Sequence, residues 1–329
     1  RMAIGMVRAC LALAVEQTGT SAAGFSIIAM GKLGARELNY SSDIDLLFVA
    51  RQDADNYLKL AKQLIENISK TTDEGFLYRV DMRLRPWGHE GSLVTTLEGY
   101  TRYFQQSALL WEKQAFLKAR PIAGNLGLGE DLRKIIEPML FNIPAEEVRS
   151  GIYAMKQRTE EFLLEKGRKW GEVKLGEGSI RDVEFVVQAL QLTHPSIRTR
   201  STLKAIPLLR EDGIISPVEA RTLTEGYIFL RTIEHYLQIT EYQQTYTLPS
   251  DENALTLLAR RLGFEGEGAG ARFTQAYEKH CLAIRAVFLK YMGNQPDIPT
   301  ELTPEAAQKM QQHIARMDVS YTETFSPED

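Results

Sequence analysis

Residues 25–49 read FSIIAMGKLGARELNYSSDIDLLFV. The stretch opens on an apolar run of strand length, Phe25–Met30, and closes on a second, Asp45–Ala50. Between them stand the turn Gly31-Lys32-Leu33-Gly34, a short helical stretch around Ala35–Leu38, and the sequence Ser41-Ser42-Asp43-Ile44-Asp45. In an extended chain Asp43 and Asp45 project from one face and Ile44 from the other. Carboxylates held this close repel unless a cation lies between them, and hard oxygen donors of this kind suit Mg²⁺. The plainer alternative is a pair of solvated acids at a loop end. Gly31 and Gly34 allow a close backbone approach to a ligand, and amides at a helix start can receive phosphate oxygens. The turn lacks the G-x-x-x-x-G-K-[ST] and G-x-G-x-x-G patterns.

Downstream, Asn56–Thr71 places Leu58, Leu60, Ala61, Leu64, Ile65 and Ile68 close to helical spacing. After Gly75 the pattern changes to alternation over Phe76–Arg85, ended by Pro86. An extended strand there puts Phe76, Tyr78, Val80, Met82 and Leu84 on one face, and Leu77, Arg79, Asp81, Arg83 and Arg85 on the other. Asp81 is thus a third carboxylate for a two-metal site, flanked by guanidiniums whose forks match phosphate oxygens. An ordinary amphipathic strand with a solvated face would alternate in the same way.

The fold class expected from these patterns is α+β: a small mixed sheet with helices over residues 24–125, preceded by a helix in 1–23 and followed by an all-α region over 126–293. In that region Leu203, Ile206, Leu209, Ala220, Leu223, Tyr227, Leu230, Ile233 and Leu237 recur every three or four residues. Residues 294–329 form a polar tail or linker with one expected helix, Pro304–Met317. With 329 residues the chain is long enough for two domains, and 44% hydrophobic with 25% charged residues is globular composition. A net charge of −4 gives no polybasic field for nucleic acid or an anionic membrane, and no apolar run reaches the roughly 20 residues that span a bilayer. Cys10 and Cys281 stand far apart, which argues against disulfides or structural zinc and for a reducing cytoplasm. His235 has no second histidine four residues away, so H-E-x-x-H zinc chemistry is not supported. A first residue of Arg suggests a fragment of a longer protein.

Four motifs together carry a resemblance. Gly31-Lys32-Leu33-Gly34-x-Arg36-Glu37-Leu38-Asn39-x-Ser41-Ser42-Asp43-x-Asp45-Leu46 resembles the signature of the bacterial glutamine synthetase adenylyltransferase/adenylyl-removing enzyme family. Arg79–Pro86 resembles its second motif, and Trp111-Glu112-x-Gln114-Ala115 with Lys118-Ala119-Arg120 its third. Gly178-Ser179-Ile180-Arg181-Asp182-Val183-Glu184-Phe185-Val186-Val187-Gln188 resembles a fourth, in the helical part. The similarity runs from about Gly24 to Gly293.

The resemblance implies a polymerase-β-like nucleotidyltransferase fold and one catalytic half of a two-half enzyme. One half adenylylates a tyrosine of glutamine synthetase with ATP; the other removes AMP by phosphorolysis, giving ADP. Asn39-x-Ser41-Ser42-Asp43-Ile44-Asp45 and Ile180-Arg181-Asp182-Val183-Glu184 look more like the removing half. So do Arg198-x-Arg200-x-Thr202-Leu203 and the Phe229–Gln238 segment, whereas Trp111–Ala115 is common to both halves or nearer the transferring one. On this reading Asp43, Asp45 and Asp81 are the catalytic acids and hold two Mg²⁺ ions. Gly31, Lys32, Gly34, Ser42, Arg83 and Arg85 bind nucleotide or phosphate. Arg181, Glu184 and Gln188 form a polar stripe on an apolar helix, either a buried ion-pair network or a cleft wall; the resemblance places it toward the metal site. Asp182, three residues after Ser179, reads first as a capping residue. Implied partners are glutamine synthetase and a PII-type nitrogen-signalling protein, and the expected location is the cytoplasm. ATP-dependent transfer and a non-catalytic regulatory module remain the competing readings.

Overall fold

The computed structural model describes residues 1–168, 170–241 and 245–293. The expected helix Pro304–Met317 lies outside them. The described residues are mixed α and β, with a small mixed sheet, and they form two compact units. The first comprises Arg1–Ile143 with Arg198–Ser201, and the second Pro144–Ile197 with the chain from Thr202 onward.

In the first unit the elements run α1 (Met2–Thr18), β1 (Phe25–Ala29), α2 (Gly31–Ala35), β2 (Ile44–Ala50), α3 (Leu58–Ser69), β3 (Val80–Asp81), β4 (Thr95–Thr96), α4 (Leu97–Gln106), α5 (Leu110–Phe116), β5 (Arg120–Gly124) and α6 (Leu126–Leu140). The sheet order is β3-β2-β1-β5, with β4 also pairing β2. β1 runs antiparallel to β2 and β5, whereas β3 and β4 lie parallel to β2. Phe25, Ile27, Phe48 and Ile44 join one core with Val7 and Ala14 of α1 and Leu60 and Leu64 of α3. On the other side α6 packs on β1, where a Cβ at Gly129 would meet Ser26 and Pro121. Sheet strands covered on both faces read as continuous apolar runs, which is why β1 and β2 stand out in the sequence.

Two local readings change. The helical turn after β1 is Gly31–Ala35, not Ala35–Leu38, because Arg36 takes a left-handed conformation (φ 65°) and ends it. The amides of Arg36 and Glu37 close that turn on the carbonyls of Leu33 and Lys32. The expected strand over Phe76–Arg85 shrinks to Val80–Asp81. Asp81 causes this itself: its carboxylate accepts the Arg83 amide at 2.8 Å, an Asx turn that bends the chain out of the sheet. Tyr78, Val80 and Met82 still pack on the core, while Phe76 is exposed. The unit boundary falls after Ile143, not at residue 125 where the composition changes, since Leu128, Leu132 and Ile136 of α6 are fully buried on the sheet side.

The second unit is helical: α7 (Ala145–Glu165), α8 (Ile180–Thr193), α9 (Thr202–Glu211), α10 (Pro217–Glu241), α11 (Glu252–Arg261) and α12 (Ala269–Met292). α8 is its axis, touching α7, α9, α10 and α12 through Ile180, Val183, Val186, Val187 and Leu192. At its start lies a buried charge network. Lys156 of α7, 1% exposed, pairs with Asp182 and donates to the carbonyls of Leu175 and Gly176. Asp182 also accepts the Gly178 amide at 2.8 Å, and Arg285 of α12 binds Glu160 through both nitrogens at 2.8 and 2.9 Å. Asp182 therefore ties the loop before α8 to α7; Ser179 occupies the cap position, but its hydroxyl accepts Lys156 Nζ at 3.4 Å and not a helix amide. No helix among the described residues is long and apolar enough to cross a membrane.

Removing one partner of a buried pair leaves the other charge uncompensated. Lys156→Met is therefore expected to lower the unfolding free energy by about 3–5 kcal/mol in urea titration, and Lys156→Met/Asp182→Leu to recover part of it. A second expectation concerns acid. Glu219 closes a capping box with Ser216 at the start of α10 (2.8 and 3.2 Å). Burial alone would raise its carboxyl, but bonds from Lys290, Ser216 and Tyr291 outweigh this and hold it at about 2, below its ordinary 4.5. Its folded-state pKa is depressed, so its contribution is complete above pH 4.5 and drains as pH falls toward 2. Glu219→Gln should make the acid limb of stability against pH shallower in that window.

Candidate functional site

The sheet pairs Asp45 with Asp81 and leaves Asp43 on the same side of β2. The amide of Met30, at the end of β1, donates to the Asp45 carbonyl at 2.9 Å, which ties the exit of β1 to the entry of β2. Ile44 and Leu46 are fully buried, so the alternating acids Asp43 and Asp45 are left half-exposed on the same side. β3 then pairs parallel to β2 with Ile44 opposite Val80 and Asp45 opposite Asp81. Neighbouring strands lie about 4.8 Å apart, so Asp81 stands beside Asp45 along the backbone.

The two glycines do different work. Gly31 has φ 49°, and a Cβ there would sit 2.3 Å from Asp45 Oδ2. Gly34 is pressed onto the sheet, where a Cβ would lie 2.1 Å from the Lys118 carbonyl oxygen. Only Gly31 borders the acids. The Ser42 hydroxyl accepts the Asn39 amide at 3.2 Å and so shapes the loop leading into β2.

Arginines accompany the acids. Asp43 Oδ1 accepts Arg79 Nε at 2.6 Å, and Arg79 also donates to the Ser41 carbonyl at 2.8 Å. Asp81 is gripped by Arg83, whose Nε reaches its two oxygens at 3.0 and 2.8 Å. Burial works against the Arg83 charge, but the bond to Asp81 and its charge, then the charges of Asp45 and Asp43, outweigh this and raise its pKa. Arg83 is therefore within electrostatic reach of all three acids. Arg85 is committed elsewhere: it donates to the carbonyls of Gly91, Met82 and His89 at 3.1, 2.9 and 3.0 Å and holds the turn after Asp81. Lys32 lies half-buried on α2. Among the described residues no three His, Cys, Asp or Glu side chains are gathered to hold a metal ion as they stand. Asp43 and Asp81 are turned to their arginines.

The third motif plays a structural part. Glu112 is buried, accepts the Leu109 amide at 2.8 Å to close the start of α5, and accepts the Tyr103 hydroxyl. Tyr103 packs edge-on against Trp87, with centroids 4.7 Å apart. Sequence reading missed the hold of Arg79 on Asp43. The spacing carried a signal, since Arg79 and Asp81 sit two apart on a chain segment that pairs beside Asp43 and Asp45.

In the second unit Arg181 lies over the Phe185 ring (5.3 Å), and burial lowers its pKa against the support of Glu184, Tyr246 and Asp182. Glu184 accepts the Tyr227 hydroxyl at 3.4 Å. Arg231 pairs with the fully buried Glu234 at 3.1 Å, and Lys174 lies 4.0 Å over the Tyr246 ring. The stripe Arg181, Glu184 and Gln188 thus borders a buried polar cluster shared by α8 and α10, of which Gln188 is 8% exposed.

Comparison with known proteins gives two family matches. Residues 2–134 match the model of the family described as glutamate-ammonia ligase adenylyltransferase, and residues 149–292 that described as GlnD PII-uridylyltransferase. Similar curated proteins include bifunctional glutamine synthetase adenylyltransferase/adenylyl-removing enzymes from three organisms. The Corynebacterium efficiens protein is 39% identical over 83% of this chain and 27% of its own length. The Streptomyces coelicolor protein is 37% identical over 88% and 30%, and the Mycobacterium tuberculosis protein 39% identical over 79% and 27%. The chain thus spans under a third of the length of these relatives.

The contact between Gly31 and Asp45 gives a direct check. Gly31→Ala strains a left-handed residue, by about 1–2 kcal/mol, and its Cβ must also push the Asp45 carboxylate aside. Its urea midpoint should fall accordingly, and an unchanged midpoint would contradict the observed approach.

Proposed function

Because the chain belongs to the glutamate-ammonia ligase adenylyltransferase family, we propose that its first unit is a polymerase-β-like nucleotidyltransferase acting on glutamine synthetase in the AMP-removing direction. The observation that carries this is the register of Asp45 on Asp81, with Asp43 on the same side of β2 and Gly31 closing on Asp45. Among the described residues there is one such acidic set, as expected of one catalytic half. The direction rests on Asn39-x-Ser41-Ser42-Asp43-Ile44-Asp45 and on Ile180-Arg181-Asp182-Val183-Glu184, which look more like the removing half.

Asp43, Asp45 and Asp81 are the residues that would hold Mg²⁺, for which carboxylate oxygens are the fitting donors. When bound, Mg²⁺ supplies positive charge to the phosphate oxygens of the reacting group. To take part, Asp43 must loosen from Arg79 and Asp81 from Arg83, so the arginines act as resident counter-charges that keep the acids together beforehand. In AMP removal an oxygen of inorganic phosphate attacks the AMP phosphorus, the bond from phosphorus to the tyrosine oxygen breaks, and tyrosinate and ADP leave. The protein's share is positioning and charge compensation. Arg83, near all three acids, and Lys32, on α2, are placed to bind phosphate oxygens. Arg85 serves by fixing the turn that follows Asp81.

The match of residues 149–292 to the PII-uridylyltransferase description favours a PII-type signalling protein as a partner of the second unit. The site of action we assign is the cytoplasm. The test incubates the purified chain with adenylylated glutamine synthetase, Mg²⁺ and phosphate. ADP release that falls at least about 100-fold in Asp45→Asn is expected. Diphosphate release from ATP with unmodified glutamine synthetase would assign the transfer direction instead, and nucleotide binding with neither reaction would leave a regulatory module.

A further inference from the structure

Three guanidiniums crowd the carboxyl end of α2, and none has an acidic partner. Arg36 is the residue that ends the helix, in its left-handed conformation. Arg120, the first residue of β5, donates Nε to the Gly34 carbonyl at 2.6 Å. Arg200 donates Nε to the carbonyl of Ala119, the neighbour of Arg120, also at 2.6 Å. All three belong to the first unit. Among the described residues, the Arg36 guanidinium has no hydrogen bond or ion pair, and those of Arg120 and Arg200 have only the Nε bond each. The nearby carboxylates are taken. Glu130 and Glu137 are bound by Arg133 at 2.7 and 2.9 Å, Glu137 also by Arg198 at 2.6 Å, and Glu37 pairs with Lys118.

The three like charges disfavour one another. Burial first, then Arg200 and Arg36, pull the Arg120 guanidinium down to about 10. Arg200 is lowered by burial and by Arg133 and Arg36, against Glu130 and Glu137. A helix end needs one cation to satisfy its carbonyls, and Arg120 Nε already does this. Two more guanidiniums beside it add repulsion without adding a protein contact to that helix end. A tetrahedral dianion reverses the balance, because each planar fork can bind two of its oxygens.

We propose that Arg36, Arg120 and Arg200 form a phosphate-binding subsite at the carboxyl end of α2, separate from the acids at its amino end. Five residues of helix put about 7.5 Å between the two ends. The cationic site stands on its own geometry; naming its anion a phosphate rests on the nucleotidyltransferase reading. That phosphate is either free inorganic phosphate or the distal phosphate of a nucleoside triphosphate.

Calorimetric titration of the intact chain in metal-free, chelator-containing buffer separates these. The probes are inorganic phosphate, ATP and AMP, against the native chain, Arg36→Gln and Arg36→Gln/Arg200→Gln. The Arg36 side chain makes no polar contact, so its replacement leaves the fold intact. A free-phosphate site is expected to lose about 10-fold in phosphate affinity in Arg36→Gln and more in the double variant, with ATP and AMP unchanged. A distal-phosphate site shows that loss for ATP and not for AMP. Phosphate and ATP affinities within twofold of the native chain overturn the subsite, as does an equal loss for AMP, which would mark general electrostatics. Asp45→Asn keeps the two readings apart. If it binds phosphate normally while the native chain releases no ADP from adenylylated glutamine synthetase, the subsite stands and the proposed reaction fails. If ADP release is intact and Arg36→Gln binds as the native chain does, only the subsite fails.

Discussion

The pairing of two residues of β3 on β2 is the constraint on which the rest of the site depends. Val80 and Asp81 make a strand too short to contribute much stability of its own. Its consequence is positional, because it sets Asp81 beside Asp45 although 35 residues stand between them in sequence. Tyr78, Val80 and Met82 supply the adhesion, since their side chains join the core under α1 and α3. The Asx turn at Asp81 and the three carbonyl bonds of Arg85 then stop the strand at that point. A longer strand would leave Asp81 free of its bond to the Arg83 amide.

Charge is managed by the same economy in both units. Three half-buried carboxylates around the sheet edge would repel, and Arg79 and Arg83 offset that repulsion. In the second unit Lys156, Asp182, Glu160 and Arg285 are closed into a network with few exposed atoms, and it anchors the loop that enters α8. Such a network rarely adds net stability over an apolar packing, but it penalises any arrangement that separates its members. The Arg36, Arg120 and Arg200 group differs from both, since its charges share one sign.

The sheet was legible because β1 and β2 are buried on both faces, and the helix Leu58–Ser69 because its buried positions Leu60, Ala61, Leu64 and Ile68 repeat at helical spacing. The alternation of Asp43, Ile44, Asp45 and Leu46 translated directly into half-exposed and buried positions. The Phe76–Arg85 segment misled, since alternation reports which side chains face the core but not how many backbone amides find a strand partner. The role of Asp182 was hidden for another reason: Lys156 and Arg285 stand far from it in sequence, and a capping pattern lay closer to hand. Contact also moved α6 into the first unit, which composition could not reveal because a helix on a sheet and a helix in a bundle are equally amphipathic.

The central claim is that strand register makes Asp45 and Asp81 one cation-binding pair with Asp43. Paramagnetic resonance of Mn²⁺ titrated into the intact chain measures this without reference to any reaction. A bound Mn²⁺ signal in the native chain that is lost to a similar degree in Asp45→Asn and Asp81→Asn is the expected result. Mn²⁺ binding by Asp81→Asn equal to that of the native chain would contradict it.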